Sequence, residues 1–307
     1  MVNELDTISF HKRSRRNLKL WRMLAIIFFV IILSLFLFDK NFFVNPLKYQ
    51  DHILRITVEG FIDDDRQLAM KLDEIEGNKN IKAIILIIDS PGGTSFGGEF
   101  LFRKLNNLSS SGIPVVSIIR TIGTSAAYAV ALSGDRIFAL ETSLVGSVGA
   151  LIRSADLSEL FNKVGIKPEI FKSGEFKSIP SPVEKTPLEG KEVIQNSVNE
   201  VKNWFVRIIQ ENREISKQNL YEISKGGIYT GNQGLSINLI DEIGGEKEAL
   251  IWLKNYKGIT EDLPIIDLEN TGKNQHFCCS FFSFFKKFLY SSNESLDGFL
   301  SVWHPEG

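Results

Sequence analysis

The chain has only two cysteines, and they are neighbours, Cys278 and Cys279. Adjacent thiols are too close for an ordinary bridge, so no disulfide framework staples this fold. Histidine is nearly as scarce. The four are His11, His52, His276 and His304, which leaves the stretch from Ile53 to Gln275 without histidine or cysteine. A Ser-His-Asp or Cys-His arrangement cannot be built inside that stretch unless His52 or a tail histidine folds back. An excess of one charge sign is missing too: the formal net charge is -2, and nothing in the balance points to a nucleic-acid surface. No internal repeat and no low-complexity run interrupts the sequence. What is present is length and apolar content. In 307 residues, 43% are hydrophobic and 23% charged, enough to bury one substantial core or two small ones.

Met23 to Phe38 is apolar throughout except for Ser34, and Asn41 to Val44 adds apolar surface after Asp39-Lys40. Sixteen helical residues reach about 24 Å, slightly short of a bilayer core, so the Phe42-Phe43 turn or mild thinning is needed to span it. Lys12, Arg13, Arg15, Arg16, Lys19 and Arg22 crowd the N-terminal flank, while Asp39 follows the run. That asymmetry predicts a transmembrane anchor over 23–44, with 1–22 cytoplasmic and everything after Lys40 across the membrane. A buried core helix and a cleaved signal peptide compete with this reading. No small-x-small cleavage site follows Phe38, which argues against cleavage.

Beyond Asn45-Pro46, β-branched runs alternate with helical patterns: Ile53 to Val58, Ile81 to Ile88, Pro114 to Ile119, Asp135 to Leu140 and Pro168 to Phe171. Strand, helix, strand at this spacing predicts an α/β domain with a largely parallel sheet and Ile84 to Ile88 as a central strand. Thr186-Pro187-Leu188-Glu189 has the form of a capping box. Ile194, Val198, Val201, Phe205 and Ile208 then recur at helical spacing, predicting a long helix. The domain is expected over 45–257, followed by a tail over 258–307. Phe277 to Tyr290 in that tail concentrates phenylalanines with the two cysteines, Lys286 and Lys287. It fits a membrane-surface or partner-docking segment as well as a poorly ordered tail.

With histidine gone, the next base for a serine is a lysine amine kept neutral by burial, because desolvation penalises the charged form. Ser125 stands in Gly123-Thr124-Ser125-Ala126-Ala127-Tyr128, just past an apolar strand and among small residues that let a helix start close to a sheet. On pattern alone, small residues at a helix start more often serve packing than catalysis. Asp89-Ser90-Pro91-Gly92-Gly93 follows the central strand and precedes a helical pattern from Glu99 to Leu108. Glycines there can aim backbone amides at an oxyanion, or form an ordinary Pro-Gly turn. Lys172-Ser173-Gly174-Glu175-Phe176-Lys177 supplies two lysines, either of which can point inward. Gly146-Ser147-Val148-Gly149 adds a turn hydroxyl able to orient an amine.

In order and spacing, Ser-Pro-Gly-Gly, Thr-Ser-Ala-Ala-Tyr, Asp135-Arg136-Ile137-Phe138-Ala139, Gly-Ser-Val-Gly and Lys-Ser-Gly-Glu-Phe-Lys resemble the signal peptide peptidases of the SppA type. Gly227-Ile228-Tyr229-Thr230-Gly231 and Leu239-Ile240-Asp241-Glu242-Ile243-Gly244 continue the likeness, which runs from about Ile53 to Gly245. The resemblance implies a Ser/Lys serine endopeptidase in which Ser125 is the nucleophile and Lys177 the general base. Ser147 orients the lysine, and Gly93, with Gly92 as neighbour, supplies the oxyanion amide. It further implies a crotonase-like, Clp-protease-like spiral of ββα units preceded by one transmembrane helix, and a homo-oligomer in which Ser and Lys of one site come from neighbouring subunits. Peptide substrates, no metal or organic cofactor, no nucleic acid, and a place in a bacterial plasma membrane with the catalytic domain outside the cytoplasm also follow from it. The chain departs from the family pattern where Ala126-Ala127 replaces two glycines, a change the turn survives if both residues keep φ below zero. Gly234 also stands where the family often has alanine. Two rivals are a crotonase-like acyl-CoA hydratase or isomerase and a non-catalytic membrane scaffold. The first would use carboxylates and would have little reason for an anchor.

Overall fold

A computed structural model describes residues 21–29, 50–260, 262–268 and 300–302. The chain divides into two units, Met1–Gln50 and Asp51–Gly307. In the first, residues 21–29 are helical. Among the described residues no helix is long and apolar enough to cross a membrane. Residues 30–44 of the expected anchor, most of the basic flank and the aromatic tail with Cys278 and Cys279 lie outside the described residues.

The second unit is an α/β layer built on β1 (His52–Ile62), β2 (Ile81–Thr94), β3 (Val115–Thr124) and β4 (Arg136–Ala139), which pair in parallel. Helices α1 (Arg66–Ile75), α2 (Ser95–Ser110) and α3 (Ala126–Ala131) form the connections. Shorter strands follow: β5 (Leu144–Gly146), β6 (Ile228–Thr230), β7 (Glu242–Ile243), β8 (Ile265–Asp267) and β9 (Leu300–Val302). Across the sheet the order is β6-β5-β3-β2-β1-β8, with β4 on β3 and β7, and β9 on β2. The sheet thus takes in strands on the C-terminal side of residue 257.

Burial on both faces explains the unbroken apolar runs. From β2, Ile84, Leu86 and Ile88 enter one core, together with α1, α2 and α3. Ala83, Ile85 and Ile87 enter a second core, closed by Ala249 and Leu253 of α8 (Glu246–Lys257). Arg55 of β1 donates to Glu246 of α8 at 3.1 Å and to Asp267 of β8 at 2.9 Å, pinning helix and edge strand to the sheet. The remaining helices are α4 (Ser158–Lys163), α5 (Leu188–Asn212), α6 (Lys217–Ile223) and α7 (Gly231–Ser236).

Three expectations are corrected. Pro168 to Phe171 is not a strand: Phe171 is 93% exposed, and the segment has no partner strand among the described residues. An isolated extended segment gains no ladder hydrogen bonds. The long helix is present as α5, but its N-cap is Pro187 and no side chain caps it, so Thr186 and Glu189 form no capping box. Third, the Gly-Gly stretch is not a turn after β2 but its final segment. The strand continues through Thr94, with a register shift on the β3 side between Ile88 and Ser90. Pro91 has no N–H to offer, and it falls just where β3 stops pairing.

Candidate active site

Parallel strands deliver their C-terminal ends to one side, and the candidate residues collect there. β2 brings Gly92 and Gly93, paired to Phe61 and Ile62 of β1. The contact is so close that a Cβ on Gly93 would lie 1.8 Å from the Ile62 carbonyl oxygen, so no side chain fits. Ser90 fastens this segment, its hydroxyl donating to Gly60 O at 2.5 Å and accepting from Gly92 N at 3.1 Å. The Gly92 amide is thereby used inside the strand. Thr124 Oγ1 donates to Pro91 O at 3.1 Å, tying the end of β3 to the same place.

Ser125 follows immediately, at φ 57° and ψ -127°. An L-residue rarely adopts this backbone, and holding a serine there costs on the order of 1–3 kcal/mol that the surroundings must offset. Three contacts do so. Ser125 N donates to Gly146 O at 2.8 Å, and the Ser125 carbonyl accepts from Tyr128 N and Ala129 N, opening α3. All six residues of α3 are buried, and Tyr128 Oη donates to Leu239 O at 2.7 Å. Burial pushes the Tyr128 phenol well above its ordinary value, so it stays a donor at all working pH. Ala126 and Ala127 are outside the positive-φ set and fully packed, as the turn requires. Gly98 of α2 makes room for the first: a Cβ there would stand 2.7 Å from Ala126 Cβ.

Thr124 pairs with Gly146, so Ser147, the next residue on β5's side, comes beside Ser125. Ser147 has φ 53° and its N–H donates to Gly227 O at 2.7 Å, while Gly146 has φ 94°. The structure therefore brings together Ser125, Ser147, Gly92 and Gly93. His52 is excluded from this group, since it opens β1 opposite Ile81. Ten residues of strand at about 3.3 Å each separate it from Ile62 by about 33 Å.

Lys177 is not part of this convergence in the single chain. It is exposed, on a segment over 150–187 whose backbone is mostly irregular, and its N–H donates to Gly174 O at 3.1 Å. Lys172 is half-buried and ion-paired with Glu184. Asp89 also contributes to the placement of this site. The Asp89 carboxylate accepts from Ile122 N at 3.3 Å and from Thr121 Oγ1 at 3.2 Å, bridging β2 and β3 where their ladder shifts. Sequence alone does not show this bridge, because it needs the pairing of β2 with β3 to be known.

A cleft of about 710 Å³ borders the end of β1, lined by Phe61, Ile62, Leu68, Gly97, Phe100 and Lys104 among others.

A serine held in strained backbone at the start of a buried helix, beside a glycine strand, is the geometry that a nucleophile turn requires. Residues 107–260 match the model of peptidase family S49. A Synechocystis protein named as protease slr0021 is 30% identical over 216 residues, covering 70% of this chain and 78% of the relative. An Enterococcus faecium protein named as signal peptide peptidase SppA is 29% identical over 231 residues, covering 71% of this chain and 67% of the relative. A solved structure of the 1510-N membrane-bound stomatin-specific protease aligns with 72% of this chain and 99% of its own, at 17% identity and a TM-score of 0.45. The chain belongs to peptidase family S49, a serine peptidase family.

Proposed function

We propose that this chain is a membrane-anchored endopeptidase working with a Ser125/Lys177 dyad on signal-peptide remnants or similar apolar peptides. The observation that carries the reading is Ser125 itself, strained, 2% exposed and set beside Gly93 and Ser147. In the proposed cycle Ser125 Oγ attacks the scissile carbonyl carbon while the Lys177 amine takes its proton. The Gly93 N–H donates to the developing oxyanion, and Gly92, already bonded to Ser90, holds the strand in place. Collapse expels the amine with the proton returned by Lys177, and water repeats the sequence on the acyl-enzyme. Ser147 orients Lys177.

A lysine works as a base only where burial favours its neutral form. Lys177 is exposed in the single chain, so the reading requires a second copy to bury it. The segment carrying it fits that need: Leu160, Val164, Ile166 and Phe171 are all exposed, an apolar face that water disfavours. A homo-oligomer with Ser125 from one subunit and Lys177 from its neighbour follows. Lys172 is the weaker candidate, because Glu184 already engages it. The layout completing this reading is a basic cytoplasmic 1–22, an anchor at 23–44 in a bacterial plasma membrane, and a peptidase domain with crotonase/Clp-like ββα units on the extracytoplasmic side, which starts at 45 and extends past the expected boundary at 257 to include β8 from the 258–307 tail.

The test is complementation. Ser125→Ala and Lys177→Ala, each purified in detergent, should both fail to cleave a fluorogenic apolar peptide. Mixed and co-assembled, they should recover about a quarter of wild-type activity, since about one site in four then holds both intact groups. No recovery from co-assembled mutants would refute the shared site. Cleavage by Ser125→Ala alone would refute the nucleophile.

A further inference from the structure

Ser125 and Ser147 both stand at positive φ, and each is tied through its backbone N–H: Ser125 N donates to Gly146 O at 2.8 Å, and Ser147 N to Gly227 O at 2.7 Å. A bond of this kind fixes a residue only as firmly as its acceptor is fixed. Both acceptors are glycines, the residues with most backbone freedom, and Gly146 is itself at φ 94°. The ladder that joins the two glycine segments is short. β5 and β6 pair over Leu144↔Thr230, Val145↔Tyr229 and Gly146↔Ile228. Two strands of three residues hold little by themselves.

One side chain reaches both acceptors. A Cβ on Gly146 would stand 2.9 Å from Cδ2 of Tyr229, and a Cβ on Gly227 would stand 2.9 Å from Oη of the same residue and 3.2 Å from its Cζ. The ring edge from Cδ2 to Oη therefore lies against both glycine backbones, and only the missing side chains let it come so close. Tyr229 is fixed in its turn. Its ring packs against the core that contains α3. The next residue, Thr230, caps α7: its Oγ1 accepts from Gln233 N at 3.3 Å, and its N–H donates to Gln233 Oε1 at 2.9 Å. Gly231 then passes so near the end of β4 that a Cβ there would lie 2.0 Å from Leu140 O. Burial, and after it Glu222, push the Tyr229 phenol above its ordinary value, so the ring brings contact and not charge. We propose that Tyr229 is a positioning residue of the peptidase: its ring edge holds Gly146 and Gly227, and through their carbonyls sets Ser125 and Ser147 in one fixed relation. This rests on the reading of both serines given under the proposed function. It adds one side chain, outside the dyad, on which their common geometry depends.

The experiment uses the full chain with two variants. Tyr229→Leu keeps an apolar side chain but loses the edge that reaches Gly227, whereas Tyr229→Phe keeps all of that edge except the hydroxyl. Two readouts are taken. The first is kcat and KM for a fluorogenic apolar peptide, with kcat referred to the sites that a fluorophosphonate titrates. The second is deuterium uptake by peptides covering 123–128, 145–149 and, as a measure of the sheet centre, 84–88. Tyr229→Leu should lower kcat per site about tenfold and leave KM within about twofold of wild type, because alignment is lost and substrate binding is not. Its 123–128 and 145–149 peptides should take up deuterium faster, while 84–88 stays as slow as in wild type. Tyr229→Phe should recover most of both. Wild-type kcat per site in Tyr229→Leu, or unchanged uptake at the two serine peptides, would overturn the proposal. Faster uptake over 84–88 as well would also overturn it, by reducing Tyr229 to a support of the whole fold. If the wild-type chain cleaves no peptide, the catalytic reading fails, and the uptake comparison alone still decides whether Tyr229 holds the two serines.

Discussion

At Ser125 the backbone does what sequence propensity argues against. φ of 57° is found mostly in glycine, and Ser147 and Gly146 beside it are also in positive φ. Clustered strain of this kind survives only where neighbours over-determine it. One of those neighbours is a pair, Gly98 and Ala126. Gly98→Ala should destabilise by about 1–3 kcal/mol through the overlap of two Cβ atoms. Adding Ala126→Gly should return most of that loss, and urea unfolding of the two variants checks it. A second residue argument concerns Asp89, whose carboxylate joins the two strands bearing Gly93 and Ser125. Asp89→Ala should lower kcat about tenfold with little change in KM, since it loosens the relative placement of the two halves. Asp89→Asn, still able to accept from Ile122 N and to donate to Thr121 Oγ1, should restore most of it in the same assay. Ser125, Ser147, Gly92 and Gly93 could be named as candidates because the order of short motifs, each weak alone, carries a resemblance. Asp89 and Gly98 were not, because their roles depend on which strand or helix lies opposite.

Elements divide along the same line. β1 to β4 were readable as apolar runs since both sheet faces bury them, but the apolar runs stop before the strands do: Ile62, Gly92 and Gly93 are buried, yet glycine and proline break the pattern, so Phe61-Ile62 and Pro91 to Thr94 fell outside the strands read from sequence. β5, β6, β7 and β8, of two or three residues, carry no periodicity to detect. β8 illustrates what holds such a piece. Asp267 is pulled below the ordinary carboxylate value of 3.8, first by its hydrogen bond from Arg55. A depressed folded value means the carboxylate contributes stability above pH 3.8, and the contribution disappears as pH falls through the depressed value. Its side chain is 62% exposed, so solvent screening keeps the contribution below about 1 kcal/mol. Asp267→Asn should therefore melt slightly earlier than wild type at pH 7, and the two melting curves should converge once the pH falls below the depressed value.

For the molecule as a whole, the face over 150–187 is the part whose sequence made sense and whose single-chain structure does not. Pro168 to Phe171 reads as a strand because it carries apolar residues at strand spacing. Among the described residues it has no partner strand, and burial against a second copy, as proposed above, cannot be read from one sequence's local pattern. Phe171→Asp places a charge on the most exposed of these aromatics. It should reduce assembly in light scattering and abolish peptide cleavage together, while leaving the circular dichroism of the core unchanged. The fourteen residues of β2 have one more consequence. The strand that fills both cores also ends at the candidate site, so its amides should exchange slowly, whereas the more exposed 150–187 segment should exchange faster. Loss of activity and loss of fold should then separate on a denaturant axis. Under the proposed shared site, urea should silence the enzyme while deuterium uptake at Leu86 and Ile88 is still slow, leaving the Ser125 turn intact and activity returning on dilution at the speed of subunit encounter, not of refolding.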